Sequence, residues 1–450
     1  MATPHQTLAL PKALGNGLVM RLATEADIET MAAFNKRLHE EENDPPDSIA
    51  LWTRDLMSGR HPTTSAADFV LVEDTSAGNK LISATCLIPQ TWAYDGLAFP
   101  VGRPELVATD PDYRRRGLVR AVMEQIHALS HAYGHLVQGI TGIPWYYRQF
   151  GYEYALELGG SYPLRADSIP TLADDETDPF QTRPAAEADL SRLIRLHKHH
   201  YQGGMITAVH DQAQWRYILF GQHSGSIQAL QTDVILDDQG ALIGYFTCPA
   251  VLWGTQLALF ELVTNDTVSL HAVLPTVLRA LKQRGETLAG RRDPAKTFSG
   301  LYLSLEPARQ IIDILKAKLG PRRPPYAWYI RVPDLPAFTR HIAPVLEDRL
   351  GRSVMRGHSG KVNLTFFRDG LQMTFDHGKL VEVSDWQDKE QEGDRRSAGF
   401  PYLTFLQLLF GYRSLDELQY AFPDCRASDE ATLLLNILFP RKPSQVAALN

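Results

Sequence analysis

Four cations surround one glycine in the run Arg114-Arg115-Arg116-Gly117-Leu118-Val119-Arg120. An apolar segment, Leu106-Val107-Ala108-Thr109, precedes it across the turn Asp110-Pro111-Asp112-Tyr113, and a helical pattern follows directly. The first amides of a helix have no intrahelical partner and sit at the positive end of its dipole, so a strand–loop–helix junction can cradle a pyrophosphate. Gly117 admits a phosphate close to the backbone, and Arg114, Arg115, Arg116 and Arg120 can add charge-assisted hydrogen bonds to a polyanion. Adjacent basic residues are more often a solvated helix start. Here they oppose the dipole at a cost of about 0.3–1 kcal/mol without an anion, which favours the ligand reading.

A second reactive segment lies about 30 residues on, Ile143-Pro144-Trp145-Tyr146-Tyr147-Arg148-Gln149-Phe150-Gly151-Tyr152. A phenol with a pKa of about 10 keeps its proton at neutral pH and can give it to a leaving group. Tyr146 and Tyr147 both qualify, and a core aromatic is the plain alternative. His197, His199 and His200 lack the carboxylate and cysteine pattern of a metal site and read as surface histidines, so no metal is expected. Neither a Gly-x-Ser-x-Gly elbow nor a phosphate-loop Gly-Lys-Ser/Thr occurs, which removes common hydrolase and nucleotide-hydrolase readings.

Together the two segments resemble the GCN5-related N-acetyltransferases (GNAT). Arg114-x-x-Gly117-x-Val119 is similar to that family's Q/R-x-x-G-x-G/A motif, with Val119 in place of a small residue, and Tyr147 stands four before glycine as in its Tyr-x-x-x-Gly-Phe/Tyr segment. The resemblance implies acetyl-CoA as acyl-donor substrate. Its contacts would be Val107, Ala108 and Thr109 on a strand, Arg114, Arg115, Arg116, Gly117, Leu118, Val119 and Arg120 in the loop, and Gly142 and Ile143 after the next strand. It implies Tyr147 as proton donor to the coenzyme A sulfur and the terminal carboxylate of Asn450 as general base. The acceptor would be a primary amine of a small cationic molecule (aminoglycoside-like, polyamine or lysine side chain), attacking directly through a tetrahedral intermediate. The order of segments narrows the resemblance to the enhanced intracellular survival (Eis) acetyltransferases, which implies a sterol-carrier-like C-terminal domain and a closed homo-oligomer such as a hexamer. A competing reading is a sensor or carrier that binds acyl-CoA or lipid without catalysis.

These residues need elements to hold them. At 450 residues the chain exceeds one core, so about three domains are expected. Residues 20–28 read as a strand and acidic helix start, and 69–73, 81–90, 104–109 and 136–141 as strands, with a helix over 120–132. Arg183-Pro184-Ala185-Ala186-Glu187-Ala188-Asp189-Leu190 repeats the pattern beginning at Arg21, and Glu261-Leu262-Val263 repeats Glu105-Leu106-Val107. Two copies of one fold follow, the second without the basic loop. Short strands at 362–367, 371–375 and 379–384 form a meander, residues 385–397 read as a surface loop, and 402–410 as an apolar helix. The expected fold class is α/β (α+β): tandem GNAT folds with mixed central sheets over 16–165 and 178–320, then a small sterol-carrier-like α+β domain over 326–450.

Bulk properties agree. The net charge of −7 gives no general attraction to phosphate polymers or anionic lipid, so no nucleic-acid or membrane partner is expected. No run of about 18 apolar residues occurs, and the N-terminus lacks a signal-peptide pattern. Cys86, Cys248 and Cys425 lie far apart, which fits a reducing, cytoplasmic compartment.

Overall fold

The computed structural model describes residues 3–42, 44–292, 297–304, 309–387 and 397–446. The first mixed sheet contains β1 (Lys12–Gly15), β2 (Leu18–Leu22), β3 (Phe69–Asp74), β4 (Lys80–Tyr94), β5 (Leu97–Thr109), β6 (Val137–Ile140) and β7 (Glu153–Leu158). Side chains alternate across a strand, so Phe69 and Leu71 face one side while Val70 and Val72 face the other. On the first side lie α1 (Ile28–His39) and α2 (Ser48–Met57), burying Met31, Phe34, Trp52 and Leu56. On the second lies α3 (Leu118–Ala132), whose Val122, Ile126 and Leu129 form the expected apolar stripe.

After β8 (Tyr162–Arg165), the second copy comprises β9 (Gln181–Pro184), β10 (Ile206–Val209), β11 (Leu230–Leu236), β12 (Leu242–Pro249), β13 (Gln256–Leu259), β14 (Glu261–Thr264) and β15 (Gly300–Leu303). Its helices are α4 (Leu190–His200), α5 (Gln212–Arg216), α6 (Leu270–Arg292) and α7 (Arg309–Leu315). The repeat seen in the sequence is a repeated ion pair. Arg21 donates to both oxygens of Asp27 at 2.8 Å, and Arg183 to both oxygens of Asp189 at 2.7 and 3.0 Å. Each carboxylate also accepts a backbone N–H three residues earlier, from Thr24 and from Ala186.

Strands cross between the three expected units. β8 pairs with β15 in the second copy's sheet, whereas β16 (Tyr326–Arg331) inserts between β6 and β7, antiparallel to both. Strand exchange therefore crosses the expected boundaries at 165 and 326. Local pattern identifies a strand but not its partner, which is a long-range choice.

The last segment has α8 (Leu335–His341), α9 (Ala343–Gly351), the meander β17 (Gly360–Thr365), β18 (Gly370–Asp376) and β19 (Lys379–Asp385), and then β20 (Ala398–Gly399), α10 (Phe405–Leu409), α11 (Leu415–Ala421), β21 (Arg426–Ala427) and α12 (Asp429–Leu438). The expected helix over 402–410 is shortened to α10, because Leu403 adopts a left-handed φ of 66°. Of the expected loop, residues 388–396 lie outside the described residues.

β4 and β5 form a hairpin longer than the sequence reading of either strand. Its turn, Asp95-Gly96, has φ of 48° and 89°, the two left-handed residues of a tight hairpin connection. The tip joins all three segments. β10 pairs with β4, Tyr94 Oη donates to the Leu409 carbonyl at 2.6 Å, and Asp95 binds Arg349 at 2.8 Å and Lys442 at 2.5 Å. Among the described residues no helix is long and apolar enough to cross a membrane.

Strand exchange yields a stability prediction. A chain of residues 16–165 alone lacks β16, leaving β6 and β7 unpaired on facing edges. It is expected to show no cooperative thermal transition by circular dichroism. A sharp transition like that of the full chain would contradict the exchange.

Candidate active site

β5 and β6 run parallel but pair only at Val101↔Val137 and Gly102↔Gln138, after which they part. On its other edge β5 bulges, with Leu106 at φ 53° where the register to β4 slips between Ala84 and Cys86. Side chains of β4 satisfy the displaced carbonyls: Thr85 Oγ1 donates to Glu105 O at 3.0 Å and Ser83 Oγ to Ala108 O at 2.9 Å. The parted edge of β5 thus faces a cavity of about 1070 Å³.

One end of that cavity is the basic loop. Gly117 is the N-cap of α3 at φ 75°, with no side-chain cap and no acidic residue in the first turn. The first intrahelical bond there is Ala121 N to Gly117 O at 3.1 Å, so the amides of Leu118, Val119 and Arg120 lack partners within the helix. Arg115 holds a left-handed φ of 62°, and neither Arg114 nor Arg115 is ion-paired among the described residues. A polyanion fits these uncompensated donors and cations. Val119, the departure from the small-residue motif, packs with Val107 against the cluster around Tyr147.

Tyr147 forms the opposite wall. It is buried, packed edge-on against Tyr146, Tyr152 and Tyr329 with ring centroids 5.2, 6.2 and 5.5 Å away. Burial, with the nearby Glu105 adding, pushes its phenol pKa up, so it keeps its proton across the neutral range. Gly142 lies against this ring at φ 131°, a backbone conformation that L side chains rarely adopt.

Of the residues singled out in the sequence, Val107, Ala108, Thr109, Arg114, Arg115, Gly117, Leu118, Val119, Arg120, Gly142, Ile143 and Tyr147 line this one cavity. Arg116 does not; it turns back over the Tyr113 ring and donates to the Asp112 carbonyl at 3.2 Å. Asn450 lies outside the described residues. His197 corrects the surface reading of the histidines. It is hydrogen-bonded to Tyr245 Oη at 2.8 Å on the packed face of α4, whereas His199 is exposed.

The sequence reading missed other lining residues. His39 and Trp52 come from α1 and α2, and Glu105 was noticed only as part of the repeat; Glu41, in the turn after α1, belongs to the acidic run at 40–44 that sequence alone offers either as an attractor of a cationic acceptor or as a solvated helix end. His39 Nε2 is buried without a hydrogen-bond partner, and burial lowers the imidazole pKa. From β16, Tyr326 Oη donates to the Gly142 carbonyl at 2.7 Å and Tyr329 Oη to that of Ile143 at 2.9 Å, fixing the loop before Tyr147. Among the described residues, no cluster of three or more His, Cys, Asp or Glu side chains could hold a metal.

Residues 19–155 match the family model of the acetyltransferase (GNAT) domain. No curated protein matches the sequence. Solved structures match over nearly the whole chain. A GCN5-related N-acetyltransferase from Anabaena variabilis has 15% identity and a TM-score of 0.62, covering 95% of this chain and 98% of that one. One from Kribbella flavida has 17% identity and a TM-score of 0.62, covering 95% and 98%. Eis1 from Mycobacterium abscessus has 14% identity and a TM-score of 0.57, covering 96% and 100%. At such identities these structures establish the shared fold, while the matched segment coincides with the parted sheet and its anion cradle. Residues 19–155 thus match an acetyltransferase (GNAT) domain, and the chain as a whole shares its fold with solved N-acetyltransferases, Eis1 among them.

Proposed function

We propose that this protein transfers an acetyl group from acetyl-CoA to a primary amine of a small cationic acceptor, such as an aminoglycoside, a polyamine or a lysine side chain, with Tyr147 as general acid. One observation carries the reading: a single cavity gathers the uncapped α3 amides, the parted edge of β5, Tyr147 and an acidic wall of Glu41 and Glu105 beside Trp52. Arg114, Arg115 and the α3 amides would hold the donor's pyrophosphate. Backbone N–H groups of the parted strand would stabilise the oxyanion that develops at the thioester carbonyl. Glu41 suits a cationic acceptor, Glu105 is ion-paired with Arg103 at 2.7 Å, and Trp52 offers the acceptor a flat apolar wall.

The attacking amine forms the new C–N bond, the C–S bond breaks, and Tyr147 gives its proton to the departing sulfur. The amine must also lose a proton. The resemblance implies the terminal carboxylate of Asn450 as its acceptor, and the described cavity offers His39, whose Nε2 has no other partner and whose lowered pKa keeps it unprotonated at neutral pH.

Tyr147→Phe is expected to reduce amine-dependent release of coenzyme A by about 100-fold or more while leaving acetyl-CoA affinity within about twofold, measured by thiol release and calorimetry. Unchanged turnover would remove Tyr147 from the mechanism. Donor binding without thiol release under any amine would favour a sensor or carrier instead.

With His39 as base, kcat/KM should rise with pH through a pKa below the ordinary 6.5 of histidine, since only the unprotonated ring accepts a proton and burial disfavours the charged form. His39→Gln should abolish that limb and lower kcat by about 100-fold, with removal of Asn450 having little effect. The reverse pattern would assign the base to the terminus.

A further inference from the structure

The second copy repeats the parting of strands. β13 and β15 pair in parallel from Gln256↔Gly300 to Leu259↔Leu303, and just beyond, Phe260, Glu261 and Ser304 open on a separate cavity of about 730 Å³. Trp253, Phe260 and Tyr302 give it aromatic walls, and residues 444–446 close it from the C-terminal side. The basic loop has no counterpart here: Asn265-Asp266-Thr267 follows β14, with Asn265 Oδ1 accepting from Thr267 N at 3.2 Å.

Glu261, its side chain 21% exposed, accepts from Tyr201 Oη at 2.9 Å, and among the described residues no lysine or arginine is ion-paired with it. His197 Nδ1 stands 3.8 Å away, and His210 and His200 also interact electrostatically with the carboxylate, but burial lowers all three, His197 to about 3 and His210 to about 4, and so disfavours their charged forms. Arg323, also in the wall, is engaged with Tyr302, donating to its hydroxyl with the guanidinium 4.4 Å from the ring centroid. Gln445 donates Nε2 to Tyr201 Oη at 2.9 Å, which fixes its amide, and its Oε1 is left buried without a partner.

Burial raises the Glu261 pKa, so the empty site favours the neutral acid, whereas a ligand that brings positive charge and N–H donors would hold the carboxylate ionised and satisfy the unpartnered amide oxygen beside it. We propose that this cavity binds a small organic cation, a primary ammonium on an aromatic or apolar body, held by Glu261, Gln445 and the ring face of Trp253, at a site separate from acyl transfer. A primary ammonium has three donors, enough for the Glu261 carboxylate and Gln445 Oε1 together, and an aromatic wall attracts a cation. The site does not depend on the transferase reading, because its ligand binds without acetyl-CoA.

The test is isothermal titration of the full chain with phenethylammonium, without acetyl-CoA, alongside the uncharged isostere 2-phenylethanol. The expected result is one site for the ammonium and none for the alcohol. Affinity should fall about tenfold or more in Glu261→Gln, and about threefold in Trp253→Ala, whose indole is 41% exposed and replaceable without unfolding the core. Glu41→Ala, on the wall of the other cavity, should leave binding unchanged. The proposal is overturned by absent binding, by equal binding of the alcohol, or by loss in Glu41→Ala instead. Equal affinity in Glu261→Gln also overturns it. Should Glu261→Gln fail to fold by circular dichroism, Trp253→Ala and the alcohol decide the matter.

Discussion

The backbone of β5 is hydrogen-bonded on one edge and open on the other, and the architecture of the active site depends on that asymmetry. Unpaired amides inside a protein are costly, so a sheet parts only where surrounding groups hold it open. Here Ser83 and Thr85 of β4 satisfy the carbonyls displaced by the bulge at Leu106, and β16 occupies the place beside β6 that would otherwise be filled from within the first copy. The amides freed at β5 lie in the same cavity as those freed at the start of α3. Both are donors without intrinsic partners, which is what the proposed acetyl-CoA site would require of them.

Strand exchange makes the site a property of the whole chain. Tyr326 and Tyr329 belong to the strand that enters from beyond the second copy, yet they hold the carbonyls of Gly142 and Ile143 and pack Tyr147 in place. At the far end of the sheet, the Asp95-Gly96 turn meets Arg349, Lys442 and β10. The C-terminal segment is threaded through the same junction: Met205 N donates to Pro443 O, Gln445 N to Ile206 O, and Trp328 Nε1 to Val446 O at 3.1 Å. Each segment therefore borrows backbone or side-chain partners from another.

Local chemistry was readable in the sequence. The basic loop is contiguous, its strand and helix flank it directly, and Tyr147 is tied by spacing to Gly151. The Arg21–Asp27 and Arg183–Asp189 pairs repeat because one short junction solves one capping problem twice. What escaped was long-range. His39, Trp52 and Glu105 converge only after α1, α2 and β5 pack together, and nothing local to the sequence around Tyr326 says that its strand pairs 189 residues away, at Tyr329↔Ile140 and its neighbours. Asp95-Gly96 was a readable hairpin signal that the shorter strand assignment passed over. His197 differed from its neighbours because α4 turns that one histidine inward against Tyr245.

The most direct measurement is amide hydrogen exchange with and without acetyl-CoA. The amides of residues 106–109 on β5 and 118–120 at the start of α3 should slow markedly when the donor is added, while residues 265–270 of the second copy stay unchanged. Protection absent from the first two segments, or found instead in the second copy, would contradict a donor site built on the parted strand and the uncapped helix.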